Sequence, residues 1–522
     1  MKNLKTGWGI GTLGLLFLVL VCPLEFANAQ TNLPVLDDDA LFGGSNDIVT
    51  VIDTNVAATS VVELVKDTKT YPVFLVEGDL GAGLTSSLVP YGASGSDKNL
   101  LFGAVRLDSL AFTYSPVKDV DFNITTSATL LPNSATDVSV SAYANLRASE
   151  YTRFYTSGKY NYNVSSSSTV VTADGLALDE IFLDTAINRK FFFRLGKQRV
   201  SWGVGYWFKP ADVLSLAQID PDNPTASREG PFAFKADMPF GLNHASLYAV
   251  PPIDGSLGKF SVAQRTDIVA GGFELSFAGF ARTDMGARPR LMFMFTGAIG
   301  SVDVYGENVA LWGSDRNYVR EKDGGGYELY RVENQLLFQS TLGLKYSWQN
   351  SNGLSASFHV QGYYNGTGYE DSSILQITAA RNLVKASSAY TSNDLTQAGM
   401  YYLGASVSFG ARFGEGKKLT NTTLGSTALF NFSDGSMRFK PSWSLTVGSG
   451  GSALNLAVSA LTSLGKLYSE YAPQGNMVTP ALTATINKTV QVSASAPLKL
   501  DTDYSLKKAS LALSLYWNVI SY

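Results

Sequence analysis

Long runs of strict two-residue alternation constrain this chain more than any other feature. From Val138 to Ala148 the even positions are Val138, Val140, Ala142, Ala144, Leu146 and Ala148, and the odd ones are Ser139, Ser141, Tyr143, Asn145 and Arg147. A β-strand throws successive side chains to opposite faces, so this run has one apolar and one polar face. The same alternation sets Val332, Leu336, Phe338, Leu342, Leu344, Tyr346 and Trp348 against Arg331, Glu333, Gln335, Gln339, Thr341 and Lys345. It recurs at 354–361, 401–412 and 437–447. Several runs reach about 10 residues, the length of a tilted strand crossing a bilayer and longer than the mean soluble strand of about 5–6. The polar faces carry Ser, Thr, Asn and Gly, where a soluble sheet would usually offer water more Lys and Glu.

The expected fold is therefore all-β: a closed, antiparallel transmembrane β-barrel of about 16–18 strands. Ala142, Leu344, Leu403 and Leu445 face lipid in this register, and Ser141, Lys345, Ser406 and Ser444 face the lumen. Strand connections alternate consistently between the two sides only if the candidates between 288 and 312 merge into one strand. The last strand sets Leu511, Leu513, Leu515, Trp517 and Val519 on one face and ends on Tyr522. A terminal aromatic on an alternating strand resembles the signal read by the barrel-assembly machinery. A bulge near Asn518 would bring Ile520 and Tyr522 into line with the Leu/Trp face.

Composition agrees. Only 16% of residues are charged, 12% are aromatic and 49 are glycine. The 40 basic and 44 acidic residues nearly cancel, giving no reason to expect a nucleic-acid partner. The first 29 residues read as a signal peptide: Lys2 and Lys5, an apolar stretch from Ile10 to Val21, Pro23, then Ala27-Asn28-Ala29. The mature chain would start at Gln30. The one cysteine, Cys22, falls in the removed segment, and Val21 before it is larger than lipid attachment prefers. Past residue 30 no apolar run is long enough for a spanning helix.

Residues 30–69 form an N-terminal segment with Asp37-Asp38-Asp39, Phe42-Gly43-Gly44 and a possible short helix from Thr54 to Lys66. It is read as a periplasmic tail or as a plug entering the barrel that occupies 70–522. Pro132-Asn133-Ser134 reads as a tight turn. Asp371 to Ser388 reads as a helix inside a long loop, with Ser372 or Ser373 as N-cap.

One hairpin carries candidate chemistry. Glu180 and Asp184 share a face opposite Ile181, Leu183 and Ile187, and a tight turn follows at Asn188-Arg189. The next strand runs Phe191-Phe192-Phe193-Arg194-Leu195-Gly196-Lys197-Gln198-Arg199, then Ser201-Trp202-Gly203. Lys209-Pro210-Ala211-Asp212, Asp220-Pro221-Asp222 and Arg228-Glu229-Gly230 come after it, with Pro210 suited to open a short helix through Leu214. This acidic strand, its Gly-x-Gln-Arg and Trp-Gly partner, the Pro-x-Asp loop and the Arg-Glu-Gly return resemble a hairpin of large porin-like outer-membrane barrels. With the acidic N-terminal Leu-Phe-Gly stretch, the chain resembles spirochaete barrels of that kind.

Glu180, Asp184, Arg194 and Arg199 are thus candidates for a charged pore constriction; the same charges could merely brace the wall. Arg194 has lumenal parity, whereas Arg199 shares the parity of Phe191 and Phe193 and is lumenal only beyond the apolar band or after a bulge. The expected function is a porin-like channel of the bacterial outer membrane for passive diffusion of small solutes. The alternative is a surface adhesin or a structural barrel. The chain has two histidines, His244 at a turn and His359 on a lumenal face, a poor basis for catalysis. The expectation is no enzyme activity, no cofactor and no metal, with outer-membrane lipids and small solutes as partners.

Overall fold

The hydrogen-bonded ladder closes on itself: the first strand pairs with both the second and the last. The protein is described from a computed structural model covering residues 72–91, 100–117, 120–130, 135–149, 152–165, 171–188, 190–252, 260–283, 288–387, 394–414, 420–448, 453–487 and 489–521. The stretch 1–29 read as a signal peptide, the 30–69 segment, the turn expected at 132–134 and Tyr522 lie outside these residues.

The strands are β1 (Val73–Tyr91), β2 (Leu100–Val117), β3 (Val120–Leu130), β4 (Ala135–Ser149), β5 (Thr152–Ser165), β6 (Val171–Ile187), β7 (Phe191–Lys197) and β8 (Phe232–Phe240). Next come β9 (Asn243–Val250), β10 (Ser261–Ala270), β11 (Phe273–Arg282), β12 (Arg290–Ile299) and β13 (Val302–Trp312), then a small hairpin of β14 (Tyr318–Glu321) and β15 (Tyr327–Tyr330). The wall resumes with β16 (Leu336–Gln349), β17 (Leu354–Asn365), β18 (Tyr401–Phe413), β19 (Thr420–Asn431), β20 (Ser436–Val447), β21 (Leu454–Leu464) and β22 (Met477–Ile486). It ends with β23 (Val490–Ser495), β24 (Leu498–Leu500) and β25 (Leu506–Ser521).

The main sheet has 23 strands, all antiparallel to their neighbours. β23 and β24 both lie between β22 and β25, one after the other, so they form a single stave. Pro497 interrupts it, because proline has no N–H for the ladder. The barrel therefore has 22 staves, an even number, not the 16–18 expected. One strand of the undercount has a visible cause. β12 and β13 are separate strands turning at Gly300-Ser301, so the merger at 288–312 was wrong. β12 reads Arg-Leu-Met-Phe-Met-Phe because both of its faces are apolar, which erases the alternation.

With 22 staves the connections alternate cleanly. Short turns at 188–190, 241–242, 271–272, 300–301 and 350–353 share one end with the start of β1 and the end of β25. The Gly271-Gly272 turn has φ of 61° and 82°, the positive values a tight hairpin demands at both central residues. The long segments 198–231, 313–335, 366–400 and 465–476 all leave from the other end. In outer-membrane barrels the short-turn end faces the periplasm. The ladder between β1 and β25 steps from Gly81↔Asn518 to Leu80↔Ile520, so a bulge falls at Val519, where the register required one.

Outward parity is as read from the sequence. On β16, Leu344 is 42% exposed while Lys345 is 4% exposed. Leu336, Phe338, Leu342, Phe358 and Val360 continue the exposed apolar belt, with Trp312, Tyr364 and Tyr401 near the long-loop end and Trp348 and Phe409 near the other. Such a belt between aromatic girdles is the surface that lipid covers, and the protein is an integral β-barrel of the outer-membrane type. Among the described residues no helix is long and apolar enough to cross a membrane.

Candidate functional site

The lumen is not uniformly filled. The segment 198–231, between β7 and β8, folds inward instead of extending beyond the rim. Its Val200, Trp202, Ala211 and Leu214 pack on an inward apolar seat made by Tyr248, Ala263, Ala278, Met292, Met294, Val309 and Leu311 from β9–β13. Further along, Trp207 and Phe208 pack with Tyr363, Tyr402, Leu429 and Tyr471. Trp207 lies so close to β18 that a Cβ on Gly404 would meet the indole at 2.6 Å.

Two fully buried wall side chains hold the segment's backbone. Glu307 of β13 accepts from the N–H of Gly205 at 2.6 Å and of Ala211 at 2.9 Å. Gln361 of β17 accepts from Trp207 N–H at 2.7 Å and Tyr206 N–H at 3.1 Å, and donates to Phe208 C=O at 2.8 Å. Asp212 accepts from Trp202 N–H at 3.1 Å and pairs with Arg228. At the far end Asp222 bridges Arg438 and Lys440 of β20, the latter at 2.7 Å. With its amides given to wall carboxylate and amide groups, the segment forms no helix at Pro210–Leu214. It makes a single turn there, Asp212 N–H to Lys209 C=O at 3.1 Å, which corrects the expectation of a short helix.

A lid of long loops covers this side of the barrel. A 3-10 turn at Ser372–Gln376 leads into α1 (Thr378–Lys385), and the N-cap is Asp371, accepting from Ser373 N–H at 2.9 Å, not Ser372 or Ser373. Leu375, Ala380 and Val384 pack against Tyr318, Val319 and Tyr369. Arg316 donates to the carbonyls of Asp394, Thr396 and Gln397 at 3.1, 3.3 and 3.0 Å. Glu470 ties three elements together: it accepts from Gln397 N–H and Tyr402 O–H, both at 2.8 Å, and from Asn431 at 3.0 Å. Burial pushes its carboxyl up to about 7, against the opposing pull of these donors. Gln397 and Thr396 also reach Ile219 C=O and Gln218, so lid and inward segment are joined.

The four residues singled out from sequence all border one stripe of β6–β7, as two pairs. Arg194 grips Asp184 bidentately, at 2.6 and 3.2 Å. Glu180 accepts from the backbone N–H of Arg199 at 3.1 Å, with the guanidinium at 4.0 Å. β7 ends at Lys197, so Arg199 lies past the strand and its strand parity does not apply. The sequence reading missed Arg153 of β5, which binds the same Asp184 at 3.0 Å. Phe182, on the inward face between Glu180 and Asp184, lies under both guanidiniums, 4.1 Å from Arg194 and 5.3 Å from Arg153. Tyr155 and Tyr143 continue the stack at 5.2 and 6.3 Å between ring centroids.

His359 is lumenal, as expected from parity, hydrogen-bonded to Tyr305 Oη at 2.6 Å and set between Tyr206 and Trp207. His244 pairs with Asp267 at 2.8 Å, and Ser276 hydrogen-bonds the same carboxylate rather than the imidazole.

No family model and no curated protein matches the chain. Solved structures do match in part. One is a loop L8 deletion mutant of OmpT, an outer membrane protein of Vibrio cholerae: TM-score 0.26, 9% identity, covering 86% of this chain and 100% of that one. Another is a ferric enterobactin receptor mutant from Pseudomonas aeruginosa: TM-score 0.38, 8% identity, 84% and 81% covered. A mutant Rh. blastica porin has TM-score 0.28 and 7% identity, with 85% and 100% covered. The architecture of this protein rests on the closure of its own ladder.

Proposed function

We propose that the protein is an outer-membrane channel through which small solutes diffuse passively, narrowed by its inward segment and not fully closed by it. One contrast carries this reading. Inward Glu307 of β13 and Gln361 of β17 are buried under the segment, while inward Ser141, Tyr143 and Arg147 of β4 are exposed to solvent. A barrel of 22 staves has room for such a water-filled half beside a filled one. The resemblance of the 176–230 hairpin to porin-like spirochaete barrels supports the same reading. The His244 and His359 environments favour structural roles over catalysis. The charged stripe of Glu180, Asp184, Arg194 and Arg199 borders the open half. Refolded protein in a planar bilayer should give stepwise ion conductance; a correctly folded barrel that never conducts would defeat this function.

A further inference from the structure

The lipid-facing side of β10–β16 carries two side-chain amides at mid-depth. Gln264 and Thr266 of β10 share the parity of exposed Val262 and Ile268, and Asn308 of β13 shares that of exposed Trp312, so all three point outward. Gln264 and Asn308 are exposed, which in this belt means exposed to hydrocarbon, where a polar group without a partner is costly. Each amide is only half used. Gln264 Nε2 donates to Thr266 Oγ1 at 2.6 Å, while its Oε1 has no partner among the described residues. Asn308 Oδ1 accepts from Ser340 Oγ at 2.9 Å, while its Nδ2 has no partner among them.

The two amides are placed symmetrically. Thr266, Phe277, Phe293 and Asn308 are successive partners across β10–β13, so three strand spacings, about 14 Å, separate the ends of this row. The row climbs towards the long-loop end, because it continues through Ser340 and Tyr364 to Tyr401, the first residue of β18. At a strand tilt of about 40° the climb from Thr266 to Asn308 is roughly 9 Å, and Gln264 stands two residues, roughly 5 Å, above Thr266. Gln264 and Asn308 therefore lie within about 4 Å of one height, on either side of a line between β11 and β12. Flanking that line, in the row of Gln264, are Gly279 of β11 and Leu291 of β12. Leu291 is 72% exposed, a knob beside the hollow that the glycine leaves.

We propose that this face docks a second copy of the chain about a twofold axis normal to the membrane, passing between β11 and β12. Such an axis sets each residue on one side of the line against the residue at the same height on the other side. Gln264 of one copy then meets Asn308 of the other, free carbonyl oxygen against free amide N–H, and the contact occurs twice per dimer. Leu291 of each copy enters the hollow at Gly279 of the other, with Phe277 and Phe293 packed around it. Lipid tails cover apolar side chains equally well, but they offer neither amide a hydrogen bond. Side-chain amides bonded across a contact hold spanning helices together in hydrocarbon, and the same chemistry serves two barrel walls. The assignment concerns the outer surface, so conduction plays no part in it.

The test is made on refolded protein in lipid vesicles. Single-molecule photobleaching of fluorescently labelled wild type at low surface density should show two-step spots. Gln264→Leu/Asn308→Leu should weaken pairing at least about tenfold, because both amide contacts are lost. The same variant should refold at least as well as wild type, since leucine suits hydrocarbon better than an amide does. Lower refolding with unchanged pairing would mean that the amides only brace the wall, and overturns the docking. In a Cys22→Ser background, which has no other thiol, a short bifunctional thiol reagent should link Gln264→Cys/Asn308→Cys into dimers. Neither single variant should link, because like positions lie about 14 Å apart across the axis. Leu424→Cys/Leu482→Cys, an outward pair three strands apart on β19 and β22, is the control and should stay monomeric. Single-step wild-type spots, linking of either single variant, equal linking of the control pair, or a ladder of higher species overturns the twofold dimer.

Discussion

Replacing Gln361 by Leu tests whether the inward segment is held by the wall or merely resting on it. The two side chains are similar in size, so the aromatic packing of Trp207 and Phe208 survives while the hydrogen bonds do not. At least two buried groups then lose their partner, Trp207 N–H and Phe208 C=O, now bonded at 2.7 and 2.8 Å. An unsatisfied buried donor or acceptor costs about 1–3 kcal/mol, so the docked segment loses ~2–6 kcal/mol. At ~1.4 kcal/mol per factor of ten, its undocked population rises by roughly 30-fold to 10⁴-fold. The barrel ladder is untouched, so refolding yield should stay near wild type. Two readouts follow: larger or more variable single-channel conductance, and trypsin cleavage after Arg199 or Arg228. If the variant conducts like wild type and resists trypsin equally, the Gln361 anchor is not what holds the segment.

Outward and inward positions should differ in refolding titrations: Leu344→Arg should cost about 2–4 kcal/mol near the bilayer midplane, while the exposed inward Ser141→Lys should be near neutral. Equal losses would refute the register. Asp222→Asn should free the far end of the inward segment from Arg438 and Lys440, seen as faster deuterium exchange at 215–226, and unchanged exchange would show the bridge is idle. The lid should weaken as pH rises: Glu470 has its carboxyl raised to about 7 from an ordinary 4.5. Between those values the folded lid holds more protons than the unfolded one, so its stability is full below about pH 4.5 and declines until pH 7, by about 3 kcal/mol in all. Exchange at 394–400 should accelerate over that window in wild type and stay flat in Glu470→Gln.

Parity was legible wherever a strand has lipid on one side and water or polar groups on the other, as in β16 and β17. It failed at β12, where Leu291, Phe293 and Phe295 face lipid and Met292 and Met294 form part of the seat for the inward segment. Two apolar faces leave no period to read, and that cost the count one strand. The Asp184–Arg194 pair was legible because a tight turn fixes its register. Arg153 was not, since its neighbour across the ladder depends on how β5 pairs with β6. The anchors Glu307 and Gln361 were out of reach altogether: their partners are about 100 to 150 positions away, and nothing in a polar residue of a polar face says which backbone it will accept. Pro210 suggested a helix by local preference, but Glu307 claimed the amide of Ala211.

The two halves of the lumen then follow opposite rules that require each other. The inward faces of β9–β13 are apolar at Ala263, Ala278, Met292, Met294, Val309 and Leu311, a surface that would be unfavourable against a water column. The segment 198–231 removes that surface from water and, at the same time, moves the remaining free volume toward β4–β7. Charges on an open face are screened and weakly felt; charges facing a narrowed passage with a fixed wall opposite are not. In the proposed channel, the Asp184–Arg194 and Glu180–Arg199 pairs would line that side of the passage. Loosening the anchor at Gln361 should therefore weaken any ion preference set by Glu180, Asp184, Arg194 and Arg199 even though none of them is touched.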